Sequence, residues 1–412
     1  MLASSIPSPG QRTADLRAVA ALCLAAVAVF ADMYLTQPLL PVFSREYGVS
    51  PAVAGATISA VVLTVALVSS AYGPLSDVLG RKPVLVWGCA LLALSTFACA
   101  FAPSFHALLA FRAVQGILVP AVSAVAIVYI GEMRGGLDTG SLVGAYIGAS
   151  VAGGLLGRIG SGVLYDLTSS WHSAFTVFGA VTLLAAIAMA LTLRPGTVRR
   201  EGPVPAAFAG AYRSMLQHFG DPRLAGAFVV GATLFFGFIG FFTYLPYLLT
   251  QAPFRLSTGT VAWFYLAYLA GVIAAPIAGR LSARISRRTL MVAGFGIALA
   301  GVALSLGSSL AAIAVASFVL CVGMFTAQAI APAFVTVTAA AKGGAMALYQ
   351  TFYYVGAVFG SVLPGYAWEF WGWPGVAATC AASLAIGLCA AWLFCTDAPQ
   401  VAQRARLPKT SF

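Results

Sequence analysis

The sequence predicts an all-α membrane protein of twelve transmembrane helices in two six-helix halves, with both termini in the cytoplasm. Three observations lead there. Of the 412 residues, 61% are hydrophobic and only 8% charged, with a mean hydropathy of +0.95, whereas about a quarter of a soluble domain is charged. The apolar residues run on continuously instead of alternating, which fits helices crossing a hydrocarbon core of ~30 Å and excludes a β-barrel. The basic residues gather in every second interval between these runs, which sets orientation in the membrane.

Taken in order, a polar tail over 1–16 precedes a first apolar run that continues through Met33, Tyr34 and Leu35. That run is too long, and too poor in small residues at its end, for a cleaved signal peptide. Helices follow at 17–43, 51–78, 83–101, 105–131, 138–164 and 173–193, then at 224–250, 258–281, 288–307, 310–336, 343–367 and 373–395. The far side of the membrane receives only Arg45 and Arg255. Arg112 and Arg158 lie inside spans, and the other 18 of the 22 Lys and Arg fall on the cytoplasmic side. The net charge of +11 is therefore a topology signal and no nucleic-acid footprint. The seven cysteines all lie in apolar spans without ligand spacing, so neither a disulfide framework nor a metal or other cofactor is expected.

The interval 194–223 carries Pro195, Pro203, Pro205, Pro222 and five arginines, and reads as a cytoplasmic linker with room for an amphipathic helix over 206–219. It separates a first bundle, 17–193, from a second, 224–396; a tail over 397–412 ends the chain. An internal repeat supports the division: Gly279-Arg280-Leu281-Ser282 with Arg287-Arg288 restates Gly73-Pro74-Leu75-Ser76 with Arg81-Lys82 at an offset of 206, half of the chain. Small residues recur every four positions at Gly144, Gly148 and Ala152, at Gly271, Ala275 and Gly279, and at Gly356 and Gly360, which lets helices approach closely.

The turn between the second and third helices holds Gly73, Asp77, Gly80, Arg81 and Lys82. Ser69, Gly73 and Asp77 share one helical face, and an acid at its edge can accept from the open N-terminus of a neighbouring helix. At this spacing the stretch resembles the signature Gly-x-x-x-Asp-x-x-Gly-Arg-Lys/Arg of the major facilitator superfamily. Arg112-Ala113-Val114-Gln115-Gly116 is similar to that family's Arg-x-x-Gln-Gly element, and Leu348 to Gly356 with Gly372 to Val376 resemble its bacterial drug-efflux, YnfM-like exporters. Helix 5 departs from the family's antiporter pattern, with Ala149 in place of a proline and Gly153-Gly154 one residue late.

The resemblance implies a secondary transporter in the inner membrane, a monomer that exchanges protons for small organic molecules by alternating access. It implies no enzyme. For proton coupling the candidates are Asp32, the one acid deep in a span, with Arg112 and Arg158. Three partners are open to Arg158: Asp32, an anionic substrate, or Asp166 reached by snorkelling. For gating they are Gly73, Asp77, Gly80, Arg81, Lys82 and Glu132, with Asp77 docking near Gly343-Gly344 and Arg81 pairing with Glu132. The cavity candidates are Tyr34, Gln37, Gln115, Tyr244, Tyr247, Gln328, Tyr349, Gln350, Tyr353 and Tyr354, each of whose tyrosines reads equally as an interfacial aromatic. A facilitator or proton symporter working as an importer, and a non-transporting receptor or scaffold, are the competing classes. The substrate is not legible.

Overall fold

The computed structural model of the chain describes residues 9–133, 138–195, 220–339 and 342–396. The linker interior over 196–219, with its expected amphipathic helix, and the tails at 1–8 and 397–412 lie outside the described residues. Among the described residues, eleven stretches are long and apolar enough to span a bilayer: α1 (Thr13–Tyr47), α2 (Pro51–Leu79), α3 (Arg81–Ala100), α4 (Phe105–Glu132), α5 (Thr139–Thr168), α6 (His172–Thr192), α7 (Pro222–Thr250), α8 (Thr258–Leu281), α9 (Arg287–Leu304), α10 (Leu310–Thr338) and Gly343–Phe394. At ~1.5 Å per residue the last would be ~80 Å long, and it breaks at Gly372, whose φ of 59° and ψ of −145° suit only glycine. It therefore divides into α11 (343–371) and α12 (373–394). No β-strand occurs among the described residues.

Side-chain caps open several of these helices. Ser50, Ser104, Ser257, Ser286 and Ser309 each accept the N–H three residues on, at 3.1 to 3.4 Å, and so open α2, α4, α8, α9 and α10. Asp138 does the same for α5 through the Ser141 hydroxyl and N–H, which hold its carboxyl below its ordinary pKa. The one-residue joint between α2 and α3 is Gly80, at φ 90° and ψ 146°.

The halves repeat one another in three dimensions. In the first, α5 lies on α1 through its glycines: a Cβ on Gly153 would come within 2.6 Å of Val27 Cα, and one on Gly157 within 2.9 Å of the Ala31 carbonyl carbon. In the second, α11 lies on α7 in the same way, with Gly356 against Ala232 and Gly360 against Phe236. Ser76 Oγ donates to the Gly73 carbonyl at 2.8 Å, and Ser282 Oγ to the Gly279 carbonyl at 2.7 Å, so even the repeated turn keeps its hydrogen bond. Between the halves the contacts run along α2 with α11 and α5 with α8, which are equivalent pairs under this repeat.

Candidate functional site between the halves

Pro38 and Pro41 cannot continue an α-helix through α1. Regular helix stops at Tyr34, and a 3-10 turn at Gln37–Leu39 and a short helix at Leu40–Tyr47 complete the span. The last carbonyls of a helix lack donors from their own chain, and Arg112 of α4 supplies them. Its Nη1 donates to the Asp32 carbonyl at 2.6 Å, Nη2 to the Met33 carbonyl at 2.7 Å, and Nε to the Thr57 carbonyl of α2 at 3.0 Å. Nη1 also reaches Gln115 Oε1 at 2.7 Å, and Gln115 Nε2 donates onward to Thr96 Oγ1 at 2.7 Å. The Asp32 carboxylate takes the Thr96 hydroxyl of α3 at 3.0 Å and the Thr182 hydroxyl of α6 at 2.7 Å, both on Oδ2, while Oδ1 has no partner. Asp32 and Arg112, 1% and 0% exposed, thus lie side by side without a side-chain ion pair, inside the first half. Arg112 thus ties helix 4 to helix 1 through backbone carbonyls.

Arg158 occupies a different place, 2% exposed on α5 where the two halves meet. Nε donates to Gln37 Oε1 at 2.5 Å and Nη1 to the Gly154 carbonyl at 2.6 Å, whereas Nη2 has no acceptor among the described residues. Its guanidinium carbon lies 4.1 Å from the ring centroid of Tyr34, 4.7 Å from Tyr268 and 5.5 Å from Tyr265. Tyr265 and Tyr268 both reach it because α8 is 3-10 over Trp263–Leu269, and in that geometry residues three apart eclipse. Their centroids are 5.8 Å apart. Of the partners open to Arg158, Asp32 is held on α3 and α6, and Asp166, two turns along α5, rests against Gly259. No carboxylate lies within 4.0 Å of Arg158 among the described residues.

At the end away from Arg81 and Lys82 the halves are closed on each other. Ser59 Oγ and Ser361 Oγ are 2.5 Å apart across α2 and α11, Gln37 Nε2 donates to Thr243 Oγ1 at 3.2 Å, and Tyr247 Oη bonds Ser44 Oγ at 2.7 Å and the Leu40 carbonyl at 3.0 Å. A Cβ on Gly365 would lie 2.5 Å from Ala52 Cα, and one on Gly162 2.6 Å from Ala262 Cβ. At the basic end the same four helices stand apart, and a Cβ on Gly73 of α2, Gly343 of α11, Gly144 or Gly148 of α5, or Gly279 of α8 would meet nothing within 4 Å.

The expected cavity residues fall into separate places. Tyr34, Gln328, Gln350, Tyr353 and Tyr354 are half-buried, with Tyr353 stacked on Phe235 at 3.8 Å. Tyr244, which donates to the Ser361 carbonyl at 2.7 Å, and Tyr247 belong to the closed end instead. Gln37 bridges that closure to Arg158, Gln115 belongs to the Asp32 network, and Tyr349 is buried against Gly231 inside the second half. Thr96, Thr182, Tyr265 and Tyr268 were not singled out by sequence. Single hydroxyls in apolar spans carry no pattern, and the aromatic start of α8 reads equally as an interfacial belt.

In the signature turn, Arg81 Nη2 meets Glu132 Oε1 at 3.2 Å and Nη1 meets the Gly73 carbonyl at 3.3 Å, and the guanidinium also contacts Asp77 and Ser76. Lys82 Nζ donates to the Leu193 carbonyl at 2.6 Å. Asp77 is thus turned to Arg81 with its side chain 47% exposed, and does not sit on the start of α11 in this conformation.

The family model of the Major Facilitator Superfamily matches residues 22–341 and, in a second match, 251–411. The inner membrane transport protein YnfM of Escherichia coli is 33% identical over 374 residues, covering 90% of this chain and 89% of its own. The MFS-type transporter YybF of Bacillus subtilis is 31% identical over 351 residues, covering 84% and 85%. A bacterial homologue of the lysosomal transporter Spinster, in an inward-facing and occupied conformation, superposes with a TM-score of 0.76 at 15% identity, covering 94% of this chain and 96% of that one.

Proposed function

The chain belongs to the Major Facilitator Superfamily, and on that premise we propose that it is a proton-coupled exporter of small organic molecules in the inner membrane. Its basic end and linker face the cytoplasm by the positive-inside rule, so the state described above is open to the cytoplasm and closed to the outside. The observation that carries the reading is the wedge itself: equivalent helix pairs, α2 with α11 and α5 with α8, touch at one end through glycines and separate at the other. Rigid halves related by a repeat axis invert such a wedge by rocking, which is alternating access. The inward-facing neighbour agrees with this state.

Asp32 is the proton site in this reading. Its Oδ2 accepts from two threonine hydroxyls while Oδ1 has no partner, which leaves one oxygen of the carboxyl free to carry a proton. The test is flux into proteoliposomes across a panel of small organic anions, cations and neutral molecules, with and without an imposed pH gradient. Uphill movement driven by the gradient is expected. Movement only down the substrate's own gradient, whatever the pH difference, would make the protein a facilitator.

A further inference from the structure

We propose that the Arg158 box is the substrate's charge-recognition site, and that the substrate is a small organic anion: one oxyanion group, such as a carboxylate, attached to an apolar or aromatic body. The inference rests on the transport reading and narrows it.

A guanidinium near the middle of a membrane costs ~2.5–3.5 kcal/mol on insertion scales, and such groups are ordinarily paired with an acid. Arg158 is 2% exposed and has only neutral acceptors, Gln37 Oε1 and the Gly154 carbonyl. Arg112 shows what a structural buried arginine looks like in this same protein: every nitrogen of its guanidinium is committed to an oxygen of the first half. Arg158 instead keeps Nη2 uncommitted. A second donor waits beside it. Tyr268 is 6% exposed, its ring lies 4.7 Å from the Arg158 guanidinium carbon, and its hydroxyl has no hydrogen-bond partner. An anion accepting from Nη2 and from Tyr268 Oη satisfies both groups and supplies the missing negative charge, with a charge-assisted bond of the stronger kind.

The aromatic surroundings tell the same story from the other side. Tyr34, Tyr265 and Tyr268 hold the cation over their ring faces, which stabilises a guanidinium in place of water without neutralising it. Below them Tyr353 and Phe235 stack at 3.8 Å, and Phe238 packs on Tyr268 at 4.8 Å. An anion with an apolar body finds there a surface that a polyol does not. The location gives coupling to the transport cycle. Arg158 and Tyr34 come from the first half and Tyr265 and Tyr268 from the second, directly beneath the Gly162–Ala262 closure, so the box is assembled only while that end is shut.

The experiment uses purified full-length protein in detergent and three probes of one shape: benzoate, benzamide and benzamidine, which carry a negative, no and a positive charge. Binding is read by calorimetry and by the shift in thermal unfolding. Benzoate is expected to bind and to raise the unfolding midpoint, with benzamide and benzamidine at least tenfold weaker. Arg158→Gln should weaken benzoate about ten- to a hundredfold, the range of a hydrogen bond to a charged group. Arg158→Lys should retain part of the affinity, and Tyr268→Phe, which keeps the ring, should weaken benzoate severalfold in a protein that unfolds as the wild type does. Equal binding of the three probes, no binding of benzoate, or undiminished binding by both Arg158→Gln and Tyr268→Phe would overturn the proposal. Because binding is measured at equilibrium without a membrane, it separates from the flux test. Arg158-dependent binding with no flux would sink the transporter reading and leave the anion site standing, whereas gradient-driven flux without anion selectivity would do the reverse.

Discussion

Charged side chains in apolar spans announce themselves because few occur, and Asp32, Arg112 and Arg158 were legible for that reason. Their duties were not, since those depend on where a helix breaks and which neighbours face the break. Arg112 acts on carbonyls exposed by the interruption of α1 before Pro38. Arg112→Met should therefore lower stability, leaving two or three buried carbonyls without donors at ~1–3 kcal/mol each, and Arg112→Lys should rescue it incompletely because an ammonium cannot span all of them. Thermal unfolding in detergent measures this; an unchanged midpoint with abolished flux would move Arg112 from the scaffold to the transport chemistry. Asp32→Asn keeps the shape of the side chain and its threonine contacts. It should fold and bind substrate yet lose the response to a pH gradient, and persistent gradient-driven flux at near wild-type rates would place coupling elsewhere.

At the scale of elements, the spans were readable from apolar length, and the expected helices agree with the observed ones to within a few residues. Two departures have local causes. The first helix runs on to Tyr47 because a 3-10 turn carries it past its prolines, and the eleventh continues to the glycine at 372. The 3-10 stretch of α8 was not foreseeable, since no residue in Trp263–Leu269 forbids an α-helix. Glycines predict opposite outcomes according to their neighbours. Gly153→Val drives a side chain into the backbone of α1 and should destabilise by ~1–3 kcal/mol, the usual range for overpacking. Gly148→Val meets open space here and should leave stability unchanged. It should hinder closure of the cytoplasmic end, which spin-label distances between α5 and α8 would reveal as a loss of the shorter population.

For the molecule as a whole, the division into halves followed from a repeated turn 206 residues apart, and the structure extends it to matching α1–α5 and α7–α11 contacts. What sequence leaves open is the state, because the same chain must be compatible with both. Replacing Ser59 and Ser361 by cysteine in a cysteine-free background should give a disulfide that holds the outer end shut, arrests flux, and releases it on reduction; undiminished flux in the cross-linked protein would refute alternating access. Asp77→Asn acts on the other end. Asp77 pairs with Arg81 here and would reach the start of α11 only when the cytoplasmic ends meet. Removing its charge should shift the population toward the present state by up to about tenfold for the loss of a charge–dipole contact.

At the end away from Arg81 and Lys82 neutral hydrogen bonds join the halves, at Ser59 with Ser361, Ser44 with Tyr247 and Gln37 with Thr243, while the four ion pairs of the described residues lie at the basic end. The two faces therefore differ in how they feel the medium. Raising salt from about 0.01 M to 1 M shortens the Debye length from ~30 Å to ~3 Å, which weakens ion pairs and leaves neutral hydrogen bonds nearly untouched. With the orientation proposed above from the positive-inside rule, the seal that faces outward is the one whose hydrogen bonds salt leaves nearly untouched.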